Sequence, residues 1–334
     1  MKENKKKVVL AMSGGIDSSV SAVLLKEQGF EVVGAFMKFW GKKNSCCSSE
    51  SEKRARLICE KLKIPFYVFN FEKEFKKEVV DYAVKKEKAG LTPNPCVVCN
   101  KEIKFGLLLK KALSLGAEYI ATGHYAQIVD EKLFKGIDET KDQTYFLWKL
   151  DKKILKNILF PVGGYRKKKI IELAEKHKLG FREVSESQDV CFDIKHCKNP
   201  GKIMDSEGKV VGEHEGLWFY TIGQRKGIGL AGGPYYVLDK NIKKNLLIVT
   251  KKEKDLNRKE LLVKEVNWLT LEVRPPNMIK VKVKIRYRHE AVSATFDGKK
   301  VVFIKPQRAV TSGQSAVFYG GKGNNQLIAG GIII

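Results

Sequence analysis

The sequence predicts an N-terminal domain built as an α/β doubly wound parallel sheet, then a small central β-rich domain and a C-terminal β-barrel. Three observations predict this. Over the first half, short apolar runs alternate with helical patterns. After about residue 205, glycine-punctuated β-like runs replace that alternation. From about Val263 onward, apolar and polar residues alternate with period two. The expected domains are residues 1–204, 205–262 and 263–334. A chain of 334 residues suits two or three domains, and a hydrophobic share of 43% supports a buried core rather than disorder.

The elements follow in order. "VVLAM", Val8 to Met12, is the uniform apolar run of a buried parallel strand. "SSVSAVLLKEQG" puts Val20, Val23 and Leu24 on one helical face, with Gly29 as the residue that ends the helix. "EVVGAFM", Glu31 to Met37, is the second strand. A helix starts with Ser49 and Glu52 in capping-box spacing and stops before Pro65. "FYVFNF", Phe66 to Phe71, is the third strand, and a helix spans about Glu74 to Lys86. Prolines 93 and 95 keep the following cysteine segment in a loop, and a helix runs from about Lys104 to Leu115. "AEYIATGHYA" holds the fourth strand. The basic run from Tyr165 to Gly180 is helical; it reads as a solvated face or as a phosphate-backbone contact. "KVKVKIRYR", Lys280 to Arg288, reads as one period-2 strand. Ligands of doubly wound sheets sit at the carboxyl ends of strands, where Ser13, Met37 and Gly123 all fall.

The net charge of +25 favours a polyanionic partner, nucleic acid or an anionic membrane surface. The longest early apolar run is far too short to span a membrane or serve as a signal segment. The seven cysteines are Cys46, Cys47, Cys59, Cys96, Cys99, Cys191 and Cys197. An odd number in such a chain points to a reducing, cytoplasmic setting, with reactive or metal-binding thiols rather than a disulfide framework.

"AMSGGIDSS", Ala11 to Ser19, is the most informative motif. A strand enters a Gly-Gly loop that opens a helix. The glycines let backbone N–H groups approach an anion, and the helix N-terminus adds unpaired donors. Ser13 and Ser18 supply hydroxyls, and Asp17 suits Mg²⁺ bound to a phosphate. The motif is neither a Walker A loop nor G-x-G-x-x-G. It resembles the S-G-G-x-D-S loop of ATP pyrophosphatases, which implies ATP cleavage between the α and β phosphates and transfer of AMP to an oxygen.

"TPNPCVVCNKEIKF" presents Cys96 and Cys99 three apart. Such a pair serves as a redox couple, half a zinc site or part of an iron–sulfur site. The adjacent His196 and Cys197 are awkward as two further ligands of one zinc ion. Lys101 and Lys104 would lower the thiol pKa values. Cys191, between Val190 and Phe192, reads equally as a core cysteine or a reactive one; Cys59 is read as core.

Taken together, "AMSGGIDSSV", "FMKFW", "TPNPCVVCNKEIKF", "ATGHYA", "KDQTYFLW", "FPVGGYRK", "SESQDVCF", "YTIGQRKGIG", "IRYR" and "SGQSAVFY" resemble the tRNA-specific 2-thiouridylases over nearly the whole chain. The resemblance implies replacement of the C2 oxygen of the wobble uridine, position 34 of tRNA, by sulfur after ATP caps that oxygen. It implies that Ala11, Met12, Ser13, Gly14, Gly15, Ile16, Asp17 and Ser18 cradle ATP, with Met37 and Gly123 against the adenosine. It places Asn94, Pro95 and Cys96 at the target base, and His124, Lys141, Asp142, Gln143, Arg286, Tyr287 and Gln314 against tRNA, and it makes residues 205–262 a tRNA-binding domain. Cys99 corresponds to the nucleophile and Cys191 to the persulfide carrier, with a Cys99–Cys191 disulfide as a product of sulfur release. The implied partners are tRNAs for Lys, Glu and Gln and a persulfide donor, either a cysteine desulfurase or a sulfur carrier; no membrane is involved. Many family members carry aspartate where this chain has Cys96. Three thiols, Cys96, Cys99 and Cys191, could instead hold a [4Fe–4S] cluster with one open iron. Two other readings stay open: an ammonia-using ligase with the same ATP loop, and a non-enzymatic RNA-binding protein.

Overall fold

The computed structural model describes residues 5–40, 48–180, 191, 192, 194, 197–270 and 277–334. Cys46, Cys47, His196 and most of "SESQDVCFD" lie outside the described residues. The chain forms two compact units. One comprises Met1–Asp81, Pro95–Asp193 and Gly321–Ile328; the other comprises Tyr82–Asn94, Ile194–Gly320 and Ala329–Ile334.

The first unit is built on strands β1 (Lys7–Ala11), β2 (Glu31–Lys38), β3 (Phe66–Asn70) and β4 (Tyr119–Ala121). A hairpin of β5 (Ala126–Val129) and β6 (Lys132–Lys135) follows, and β7 (Ile158–Leu159) returns to the sheet. The order β3-β2-β1-β4-β7 is parallel throughout, so the expected doubly wound sheet is present. Val8, Val9 and Leu10 of the central strand are essentially excluded from water. The order reverses between β1 and β4, which makes their carboxyl ends the crevice where such sheets take ligands.

Helix α1 (Ile16–Glu27) leaves β1 through the glycine loop and stops where Gly29, at φ +87°, lets Phe30 N–H reach back to Leu25 O. Helix α2 (Ser49–Lys61) is capped one residue earlier than the spacing predicts: Ser48 Oγ accepts from Ser51 N. Glu52 is instead drawn to Lys38 and Arg56. A continuous helical stretch then comprises α3 (Glu72–Phe75), a π-helical turn (Lys76–Val80) and α4 (Asp81–Lys88).

The cysteine segment differs from expectation. It is not a loop: α5 (Pro95–Val98) runs into a π-helix (Cys99–Leu107) and then α6 (Leu108–Ser114). Pro95 opens this helix rather than blocking it, because the first helical position needs no N–H donor. In the π-helix, a Cβ on Gly106 would lie 2.8 Å from Lys101 O, so the wide turn demands glycine there. Helix α7 (Lys167–Lys176) packs Ile170 and Ala174 into the core that contains Val20 and Leu24 of α1.

The second unit holds two β structures. Strands β8 (Gly201–Asp205), β9 (Val210–His214), β10 (Tyr236–Asn241) and β11 (Leu246–Thr250) form a sheet in the order β10-β11-β8-β9. Strands β12 (Asn257–Trp268), β13 (Ile279–Lys284), β14 (Val292–Phe296), β15 (Lys300–Arg308), β16 (Ser315–Gly320) and β17 (Gln326–Ile333), the last belonging to this unit from Ala329 onward, follow. Pairing of β12 with both β15 and β17 closes the expected barrel. Strand β13 ends at Lys284, not Arg288. Val283 pairs with Val292, so the chain must turn between them although the alternation continues.

Among the described residues, no helix is long and apolar enough to cross a membrane.

Candidate active site

The glycine loop is a half-built anion cradle. Ser13 Oγ accepts from Gly15 N at 3.3 Å, and Ser18 Oγ accepts from Ser13 N at 3.3 Å. Ser18 and Ser19 hydroxyls both donate to Gly15 O, at 3.0 and 2.9 Å. These bonds set the loop shape. The backbone N–H groups of Gly14, Ile16 and Asp17 donate to nothing among the described residues. They sit at the positive end of the twelve-residue α1, where an anion is favoured. Gly14, at φ +72°, lies so close to α2 that a Cβ would be 2.3 Å from Ser51 O. Gly123, after β4, approaches the start of α1 closely as well: its Cβ would be 2.9 Å from Ser18 N. Met37 is buried near the end of β2.

Two cations border this loop. Arg54 Nε donates to Gly14 O at 3.2 Å, and its Nη2 donates to Ser51 Oγ at 3.0 Å. Lys167 Nζ donates to both carboxylate oxygens of Asp17, at 2.7 and 2.9 Å, and Tyr125 Oη donates to Asp17 Oδ1 at 2.7 Å. Asp17 is therefore engaged on both oxygens and does not, as it stands, offer an open ligand to Mg²⁺. Asp138 Oδ2 accepts the Lys167 amide at 2.9 Å and so caps α7. Burial raises the Asp138 pKa, but that bond, two from Thr140 and the charge of Lys141 together hold its carboxyl below the usual range.

Cys99 begins the π-helix and is buried; Cys96, one turn earlier, is half-buried. Asn100 is buried behind Cys99 and donates to Phe146 O at 3.0 Å. Lys101 pairs with Glu102 at 2.8 Å, which offsets its charge. Lys104 acts electrostatically on His124. Burial first, then the Lys104 charge, pushes the His124 pKa well below the ordinary value. Cys191 is half-buried, and its neighbour Phe192 sits edge-on to Phe75 at 5.6 Å. Among the described residues there is no disulfide. Nor do any three Cys, His, Asp or Glu side chains among them converge as metal ligands, so Cys96, Cys99 and Cys191 do not form a cluster site as they stand. Cys59 is fully buried, as expected of a core residue, and burial pushes its thiol up to about 12 against the opposing charge of Arg56.

The residues expected to face RNA divide into two kinds. Lys141 and Gln143 are half-buried. Gln143 Oε1 accepts from Tyr125 N at 2.9 Å, tying this turn to the Asp17 network. Asp142 is buried, and its carboxylate accepts from Thr144 N and Oγ1 and from Gly136 N. His124 bonds through Nδ1 to Thr122 Oγ1 at 2.7 Å. In the second unit, Arg286 Nη2 donates to Ile222 O, Ala309 O and Thr311 Oγ1 at 3.1, 2.8 and 3.0 Å. Lys284 lies over the Tyr287 ring at 5.6 Å. Gln314 Nε2 donates to Thr92 O at 2.9 Å, and Thr92 N donates to Ser312 O, so this turn fixes the segment ending at Asn94.

Three family matches tile the chain: a tRNA methyl transferase HUP domain over residues 6–195, a tRNA methyl transferase PRC-barrel domain over 194–251 and an aminomethyltransferase beta-barrel domain over 258–333. The tRNA-specific 2-thiouridylase MnmA of Carboxydothermus hydrogenoformans is 42% identical, covering 98% of both chains. That of Clostridium botulinum strain Alaska E43 is 43% identical, covering 100% of this chain and 99% of its own. The chain belongs to the tRNA-specific 2-thiouridylase family. The resemblance read from the motifs is therefore borne out, as are the HUP-type α/β domain, the central β domain and the terminal barrel.

Two residues at the glycine loop of this thiouridylase carry no signal in the motifs. Tyr125 lies inside "ATGHYA" but has no role there that its type or spacing suggests. Lys167 lies in the basic run that reads as a solvated face. Lys168 and Lys169 are indeed exposed, but Lys167 turns inward with 15% of its side chain exposed. One clue is present in the sequence: three lysines at a helix N-terminus oppose the helix dipole and call for an acidic partner.

Proposed function

We propose that this thiouridylase-family chain catalyses ATP-dependent 2-thiolation of the wobble uridine, position 34, of tRNA. Full-length identity of 42–43% to 2-thiouridylases carries the reading; the S-G-G-x-D-S loop with open amides fits it. ATP binds the loop from Ala11 to Ser18, with Met37 and Gly123 at the adenosine. The open amides hold its phosphates. Lys167 and Arg54 offset their charge, and Lys167 keeps the Asp17 carboxylate from repelling them. The uridine C2 oxygen attacks the α-phosphorus, pyrophosphate leaves, and the base carries an O-adenylate. Asn94, Pro95 and Cys96 meet this base.

Sulfur then displaces AMP. The terminal sulfur of a Cys191 persulfide bonds to C2 as the C2–O bond breaks, leaving a C2–S–S–Cys191 link. The Cys99 thiolate attacks the Cys191 sulfur. This releases the C2 thiocarbonyl and leaves a Cys99–Cys191 disulfide, so the sulfane sulfur gains two electrons from two thiols. A cellular thiol reductant resets the pair, consistent with a cytoplasmic enzyme. A persulfide donor, desulfurase or carrier, reloads Cys191.

Lys141, Gln143, His124, Tyr287 and Gln314 contact tRNA, with Asp142 and Arg286 holding the turns beside them. The domain limits read from the sequence are 1–204, 205–262 and 263–334, whereas the family matches run 6–195, 194–251 and 258–333. The substrates are tRNAs for Lys, Glu and Gln. Mg²⁺ accompanies ATP in such reactions, but Asp17, held on both oxygens by Lys167 and Tyr125, does not fit as its ligand here. Nor do Cys96, Cys99 and Cys191 converge as the ligands of a [4Fe–4S] cluster among the described residues.

The test is incubation with ATP, a persulfide donor and unmodified tRNA. Thiolated uridine with AMP supports the reading. AMP formed only with ammonia and a small substrate would indicate a ligase, and neither product a binding module.

A further inference from the structure

The glycine-rich stretch from Gln224 to Gly233 has a shape that the protein fixes heavily and an outer face that the protein does not use. Its ends are pinned within the second unit. Gly223 N donates to Val237 O at 2.8 Å, and Val237 N donates to Gln224 O at 3.0 Å. The Gln224 amide group spans the turn, accepting from Thr221 N at 3.0 Å and donating to Lys226 O at 2.9 Å. Arg308 Nη2 donates to Gly223 O at 3.2 Å, and Arg286 Nη2 donates to Ile222 O at 3.1 Å. Ile228 anchors the middle, buried with Ile203, Leu217, Val237, Leu247 and Val249.

Two exposed cations and a run of open backbone amides lie on this stretch. Arg225 and Lys226 are exposed, and neither side chain makes a hydrogen bond or ion pair with any described residue. The backbone N–H groups from Arg225 to Gly233 donate to no described residue either. Gly227, Gly229 and Gly232 sit at φ +73°, +78° and +70°. With Gly233 they leave the main chain bare on its exposed side. Successive amides in such conformations make anion-binding concavities.

We infer that this loop docks the phosphodiester backbone of the RNA substrate, with Arg225 and Lys226 as the charged contacts and the glycine amides as neutral donors. The inference rests on the proposed tRNA reaction and names, within the 205–262 domain expected to bind tRNA, the element and side chains that hold it. Phosphate suits the surface because it accepts from many donors at once and carries no sequence demand. An acidic protein partner suits it less. A protein interface needs an apolar centre, and the only large apolar side chains here, Ile228 and Leu230, are buried and half-buried.

The test uses the full chain and an R225A/K226A variant, both sites being exposed. Binding of unmodified tRNA is measured by filter retention at graded salt, which needs no catalysis. Thiolation kinetics follow separately. The inference expects tRNA affinity to fall about tenfold or more at low salt. It also expects the slope of log K against log salt to shrink by about 1.4–1.8, since each of two phosphates left without its cation takes away about 0.7–0.9. KM for tRNA should rise while KM for ATP stays within twofold. Unchanged affinity and slope would overturn it. So would a variant that binds tRNA normally but loses rate only with a protein sulfur donor, since that result assigns the loop to the donor. If the unaltered chain binds tRNA but forms no thiouridine, the reaction reading fails while the loop test still stands.

Discussion

Replacing Lys167 with alanine removes the cation that holds Asp17 in the glycine loop proposed to bind ATP. The two groups meet at 2.7 and 2.9 Å, with side-chain exposures of 15% and 26%. The pair is thus neither a solvated surface contact, worth about 0–1 kcal/mol, nor a fully dry one, whose disruption costs about 3–5 kcal/mol. About 2 kcal/mol is the expected loss, roughly 30-fold in kcat/KM for ATP. The mechanism is specific. Without Lys167, a carboxylate faces an incoming triphosphate, so the loss should appear mainly as a raised ATP KM. Asp17→Asn in the same chain removes that repulsion, and the double variant should recover several-fold over Lys167→Ala alone. The assay is a double-mutant cycle on AMP formation with saturating tRNA. A Lys167→Ala variant within twofold of the unaltered enzyme would refute the reasoning. So would effects that simply add, within about 0.5 kcal/mol, because that would mean the pair does not act as a unit.

Other outcomes follow from the same geometry. Gly14→Ala forces a Cβ into a left-handed residue 2.3 Å from Ser51 O. It should cost roughly 2–5 kcal/mol of stability by thermal melting and abolish tight ATP binding; an unchanged Tm would contradict the close approach. Cys99→Ser and Cys191→Ser should each stop thiolation while AMP-adduct formation on tRNA persists; full sulfur transfer by either variant removes its assigned role. His124 is held neutral by burial, so the folded chain resists a proton that the unfolded chain accepts below about pH 6.5. Its contribution is complete above that pH and is lost as pH falls, with a slope of up to about 1.4 kcal/mol per pH unit. His214 and His289 shift the same way, and a denaturation midpoint that does not move between about pH 7 and 5 would contradict all three. In the native state Cys59 should resist iodoacetamide at about pH 8, where exposed Cys197 reacts; mass spectrometry that finds Cys59 alkylated would show its burial to be wrong.

Much of this architecture can be read from local pattern alone. The run from Val8 to Leu10, the Gly-Gly turn and the amphipathic start of α1 each follow from short-range rules, and the structure reproduces all three. The barrel strands are legible for the same reason. Local pattern fails where one residue type serves opposite ends. Pro95 reads as a helix breaker, yet proline also starts helices, and only the chain before it decides which. The alternation through Arg288 has the look of one strand, but the partner strand sets its end. Arg286 and Asp142 are expected at an RNA surface. The Arg286 guanidinium bonds to backbone oxygens 23 and 64 positions away, a destination that no local pattern encodes, while the Asp142 carboxylate is taken up by its own turn at Thr144 and Gly136. Lys167 meets Asp17 across 150 positions, so in the sequence it resembles one more solvated lysine.

The central claim is that ATP converts the uridine C2 oxygen into a leaving group. Transfer RNA carrying ¹⁸O at C2 of uridine 34 tests it in a single turnover. The account predicts one ¹⁸O atom in the AMP released, in step with thiouridine formed. Thiolation that yields unlabelled AMP, or that proceeds with no ATP present, would contradict it.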